Sequence, residues 1–172
     1  MSPPIPDQAA ADLEAAHKLI RTPLLRYLSE ARLTAVLTAP IIYGCIVPFL
    51  FVDFAVTAYQ SICFPVYGIP KVSRKDYLLF DRGKLRYLNA LERINCRYCS
   101  YANGLIGYVR EVLARTEQHW CPIRHASRVL RPHDRYSHFI PYGDALAYRE
   151  KVEVVRNDFI DIQSEPPERT EL

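Results

Sequence analysis

Three cysteines and a histidine are the residues best suited to chemistry in this chain. Cys96-Arg97-Tyr98-Cys99 sets two thiols three positions apart, and Cys121-Pro122-Ile123-Arg124-His125 adds a third thiol and an imidazole four positions on. Zinc takes four sulfur and nitrogen ligands in a tetrahedron, and ligand pairs from two short segments are how small sites are built. Ligation needs thiolates, and the neighbouring Arg97, Arg124 and Arg128 favour that charge. Cys96, Cys99, Cys121 and His125 are therefore the predicted metal ligands. A filled Cys3His shell leaves no open position for water, so the ion would be structural. Zinc is expected ahead of an iron–sulfur cluster, since no fourth cysteine lies near the set. The same thiols also fit two other readings, buried cysteines packing as small hydrophobes or a redox Cys-x2-Cys pair. His119, His133 and His138 are substitute ligands.

Geometry limits the metal reading. On one straight helix over residues 84–118, Cys99 and Cys121 would stand about 33 Å apart at the α-helical rise. The site closes only if the chain returns after a bend at Asn103-Gly104, or if Cys96 and Cys99 sit on a loop. Motifs for catalysis are missing: there is no Gly-rich phosphate loop, nucleophile elbow or HExxH helix. Glu92, Glu111 and Glu117 read as solvated helix charge, and no catalytic residue is predicted. Arg131-Pro132-His133-Asp134-Arg135 is a mixed-charge loop with some capacity for a phosphate or headgroup.

These residues must be positioned by the rest of the chain, and its dominant element is apolar. Residues 33–70 are 38 positions with one charge, Asp53, and residues 33–52 are 20 positions with none. As a helix the latter would rise about 30 Å, the hydrocarbon thickness of a bilayer. Pro40, Pro48, Pro65 and Pro70 with Gly44 and Gly68 interrupt the run. A single span over residues 33–52 and a buried soluble core both fit, but the flanks favour a third arrangement. Arg21, Arg26 and Arg32 precede the run and Lys71, Arg74 and Lys75 follow it. Positive charge stays on the cytoplasmic face, so both ends on one side imply a helical hairpin. It would run in over 33–49 and out over 54–70, turning at 48–53 with Asp53 at its tip. Tyr27, Tyr43, Tyr59, Tyr67 and Tyr77 punctuate the run, as interfacial aromatics do.

Helices are expected at 8–21 and 23–36, from Asp81 to about Asn95, over 105–118 after an Asn103-Gly104 turn, and over 144–158. Charge is unevenly spread along the 172 residues. Residues 1–69 hold four basic and five acidic groups, residues 70–136 fourteen and six, and residues 137–172 four and eight. The basic middle suits anionic headgroups better than nucleic acid, because it follows an apolar run directly. The first thirty residues carry acids and no compact apolar core, so no export signal is read there, and the odd cysteine count suits a reducing compartment.

The stretch INCRYCSYANGLIGYVREVLARTEQHWCPIRHA at 94–126, extending loosely to FIPYGDALAYRE at 139–150, resembles an uncharacterised family of small bacterial membrane-associated proteins. That resemblance implies a bacterial origin and membrane association, and no assigned activity. The expected fold is mainly α: an N-terminal amphipathic segment (1–32), a membrane hairpin or span (33–70), a small basic cytoplasmic helical domain with the Cys/His cluster as its metal staple (71–160), and a disordered acidic tail (161–172). The expected function is that of an accessory or scaffold protein at the bacterial inner membrane, its bulk cytoplasmic. Lipids, anionic headgroups and a membrane protein complex are its expected partners, and nucleic acid is not. An enzyme acting on a lipid or lipid-linked substrate, or a redox or iron–sulfur carrier, is the alternative.

Overall fold

A computed structural model of the protein describes residues 32–164 and, before them, residues 16, 17, 20 and 22–30. The mainly helical class is as expected, with no strand among the described residues. Helix α1 spans Leu24–Ser29, α2 Leu33–Gly44 and α3 Ile46–Tyr67. Two short 3-10 turns, Arg74–Asp76 and Asp81–Lys84, lead to α4 at Ala90–Trp120. A third 3-10 turn, Asp134–His138, precedes α5 at Ala145–Asn157 and α6 at Ile160–Ser164. Most of the helix expected at 8–21 and the end of the acidic tail lie outside the described residues.

The hairpin is not formed. Helix continues through residues 48–53, broken only by a turn at Cys45, so Leu33–Tyr67 make one apolar stretch of 35 residues. Pro48 explains why no reversal occurs. It is the third residue of α3, within the first turn, where an N–H has no helical partner to lose. Pro40 and Pro65 sit inside α2 and α3, where each deletes one bond without ending its helix. The real stop is Gly68 at φ 68°, followed by a hydrogen bond from the Ile69 N–H to the Phe64 carbonyl at 2.9 Å. That six-to-one bond, with Ile69 and Phe64 both buried, is a Schellman ending.

Helix α4 also departs from expectation, starting later and running longer. Asn89 caps it reciprocally with Glu92: the Glu92 N–H donates to Asn89 Oδ1 (2.9 Å) and the Asn89 N–H to Glu92 Oε2 (2.7 Å). Asn103-Gly104 makes no turn, and the Asn103 amide instead donates to the Cys99 carbonyl one helical turn back, at 2.9 Å. Helix α5 matches its expected limits to within a residue, and Asp144 caps it by accepting from the Ala147 N–H at 2.9 Å.

The chain divides into two compact units. Among the described residues, the first takes those up to Leu50 with Leu78–Gly104, and the second takes Phe51–Tyr77 with residues 105–164. In the first unit, Tyr43 Oη donates to Asn95 Oδ1, Tyr98 Oη donates to the Ile42 carbonyl at 2.7 Å, and the Tyr98 ring meets Tyr43 and Phe49. No residue of α2 is buried. Every buried apolar side chain among the described residues belongs to the second unit, from Phe64, Ile69 and Val72 through Leu105, Tyr108 and Val112 to Phe139, Ile140, Val152 and Phe159. There α3 and the latter half of α4 pack with the 69–77 segment, and a bridge between Ile123 and Ile140 closes the loop after α4.

Candidate functional site

Helix α3 faces the wrong way for a helix in water. Within the second unit its buried residues are Asp53 (8% exposed), Gln60 (5%) and Phe64 (0%), while Phe51, Phe54, Ile62 and Val66 stand 68–74% exposed. A water-soluble helix buries its apolar stripe and exposes its polar one. Here two polar groups point inward and large hydrocarbons outward.

The inward polar groups are fully engaged. Arg74 grips Asp53 with two bonds, Nη1 to Oδ1 at 2.7 Å and Nη2 to Oδ2 at 2.9 Å, and Thr57 donates to the same carboxylate at 3.2 Å. The Arg74 guanidinium also lies over the Tyr108 ring, 5.8 Å from its centroid. Gln60 serves as a surrogate backbone, accepting from the Val72 N–H at 2.8 Å while its amide donates to the Val72 carbonyl at 3.1 Å and to Tyr108 Oη at 3.2 Å. Asp53 is therefore not a tip residue reaching toward headgroups. Its charge is neutralised inside the fold, because the helix does not turn there.

A second network lies on α4. Glu111 Oε1 accepts from Arg115 Nε (2.8 Å) and Arg135 Nε (3.3 Å), and Arg135 reaches on to Gln118 Oε1 (3.0 Å) and Asp161 Oδ2 (2.9 Å). Gln118 ties down the carbonyls of Val155 and Asp158, and Arg115 that of Pro70. Glu111 is thus the hub of a partly buried ion network rather than solvated charge. Glu117 pairs with His133 Nε2 at 2.9 Å, and Glu92 is the helix cap. Burial pushes the Tyr77 phenol above its ordinary value, and the Glu111 charge adds to the rise.

The predicted metal ligands are distributed along this frame. Cys96 and Cys99 project from α4 in the first unit, the former half-buried and the latter exposed. Cys121 is the exposed residue just after α4 ends, and His125 follows in the loop, both in the second unit. Helix α4 runs uninterrupted from Ala90 to Trp120, with Asn103-Gly104 inside it rather than at a bend. Among the described residues, no group of three or more His, Cys, Asp or Glu side chains stands close enough to hold a metal ion. His125 stacks on Tyr136 at 6.2 Å, and His119 packs between Tyr67 and Trp120.

One further concavity belongs to the second unit, a cleft of about 390 Å³ lined by Arg124, Pro132, His133, Asp134, Tyr136 and Ser137. Sequence reasoning reached part of it through the 131–135 loop. It missed the Asp53–Arg74 pair, the Gln60 surrogate backbone and the Glu111 hub. A lone acid in an apolar run followed by arginines was the signal available for the first of these.

Comparison with protein-family models, curated proteins and solved structures finds no match to this chain.

Proposed function

We propose that this protein is a membrane-associated accessory or scaffold protein, with the apolar stretch Leu33–Tyr67 as its lipid contact. The observation that carries the reading is the inverted α3. Hydrocarbon is the solvent for which outward Phe51, Phe54, Ile62 and Val66 cost nothing, and in which Asp53 and Gln60 must find partners inside. The first unit adds support, since its α2 is apolar yet buries none of its residues. By length and composition, Leu33–Tyr67 is sufficient to cross a membrane. Zinc carries no part of this reading, since no metal-holding group of side chains is found among the described residues.

Flotation of the full chain with phosphatidylcholine vesicles tests it. The protein is expected to rise with neutral vesicles and to resist extraction by high salt and by carbonate. A monodisperse, detergent-free protein that stays at the bottom of the gradient overturns the proposal.

A further inference from the structure

The loop after α4 carries charge that the fold leaves largely unspent. Residues 121–138 hold four arginines, three histidines and a single carboxylate, Asp134. Of those arginines, Arg135 is turned into the Glu111 network, whereas Arg128 and Arg131 are exposed. Between the latter two sit Val129 and Leu130, and Leu130 is 84% exposed. An apolar tip with guanidinium shoulders suits a membrane interface, where hydrocarbon enters the acyl boundary while the charges stay among phosphates.

The next residues in the chain, Pro132 and His133, line the cleft described above. Arg110 Nη2 holds the Pro132 carbonyl at 2.5 Å and so fixes the base of the loop. Two side chains lining the cleft carry nitrogens with no hydrogen-bond partner among the described residues, Arg124 Nε and His133 Nδ1. A buried guanidinium N–H without an acceptor costs free energy, whereas His133 Nδ1 donates or accepts according to the ring's tautomer. Tyr136 Oη accepts from the His125 N–H at 2.7 Å, which leaves its own hydrogen to donate. Ser137 has given its hydrogen to the Asp134 carbonyl at 3.1 Å. Asp134 itself opposes an anion.

We infer that this cleft, with the 128–131 loop beside it, binds the phosphate of an anionic lipid headgroup. Tyr136 supplies a donor to the phosphate oxygens, Arg124, Arg128 and Arg131 supply the surrounding positive field, and Leu130 anchors the loop. The inference rests on the membrane reading for the nearness of lipid, and on the cleft's own chemistry for the ligand.

The test compares flotation of the full chain with vesicles of phosphatidylcholine alone and of phosphatidylcholine mixed with phosphatidylglycerol. Neutral vesicles report the apolar helix, and the gain on anionic vesicles reports the loop and cleft. Two arginines near an anionic surface are worth about tenfold or more in affinity. That gain is expected to disappear in Arg128→Gln/Arg131→Gln while neutral binding persists, and to grow in Asp134→Asn. Arg124→Gln is a less clean probe, since Arg124 Nη2 also holds the Ser137 carbonyl. Excess inorganic phosphate is expected to compete away part of the gain.

Flotation with neutral vesicles but no anionic gain, or a gain unmoved by these variants, overturns this inference alone. Thermal stabilisation of the detergent-held protein by inorganic phosphate without any vesicle gain assigns the cleft to a free phosphate and also overturns it. Tighter binding to an RNA oligonucleotide than to anionic vesicles does the same. Failure to float with either vesicle overturns the membrane reading together with this inference.

Discussion

Asp53 is the side chain on which the inverted helix depends. A carboxylate at 11% side-chain exposure is held in place by Arg74, which is itself 39% exposed. Breaking a largely buried pair leaves one charge without compensation and costs about 3 kcal/mol, the low end of the range because Arg74 keeps some water. Asp53→Leu should therefore lower the free energy of unfolding in detergent by that amount, and Asp53→Leu/Arg74→Leu should recover most of it. Tyr77 makes a second residue-scale prediction. Its phenol is raised from the ordinary 10.0 by burial and by Glu111. The neutral form is the one the fold favours, so its stabilisation is complete below pH 10 and is lost as pH rises through the folded value. Tyr77→Phe should unfold less steeply with alkali above pH 10 in a urea series, with little change at pH 7. Residues of this kind were hard to read in the sequence. Glu111 looks like ordinary helix charge until Arg135, 24 positions later, is folded onto it.

At the scale of elements, what was legible followed from local chemistry. The Asp144 cap and the Gly143 turn before it fixed α5 to within a residue of the expected 144–158. The start of α4 was equally local: Asn89 and Glu92 form a capping box three positions apart, but the apolar stripe Leu85, Leu88, Leu91 and Ile94 drew the expected start forward. Asn89→Ala should cost about 1 kcal/mol by loss of the cap, measured as a shift in urea midpoint at constant slope. The hairpin was expected from basic residues on both flanks and from prolines counted without their positions. Pro48 in a first turn is harmless, whereas Gly68 at positive φ is a true terminator. Gly68→Ala should cost about 1 kcal/mol, since open space surrounds it and only the backbone conformation is strained.

For the molecule as a whole, the sequence marked its apolar stretch more clearly than its site. Composition alone separates an apolar stretch with one charge from a basic middle and an acidic end. It could not say that α3 turns Asp53 inward, because that depends on Arg74 and Tyr108 arriving from elsewhere in the second unit. Nor could it say that α4 passes through Asn103-Gly104 unbroken, because a turn dipeptide there gives way to the helix on both sides of it. The central claim is that lipid covers Leu33–Tyr67, and Cys45 reports on it directly as an exposed thiol at the turn between α2 and α3. In a variant keeping Cys45 alone, with the other four cysteines changed to serine, labelling by a membrane-impermeant maleimide is read on vesicle-bound protein before and after denaturation in SDS. Protection on vesicles followed by full labelling in SDS is the predicted result. Equal and rapid labelling in both states would contradict it.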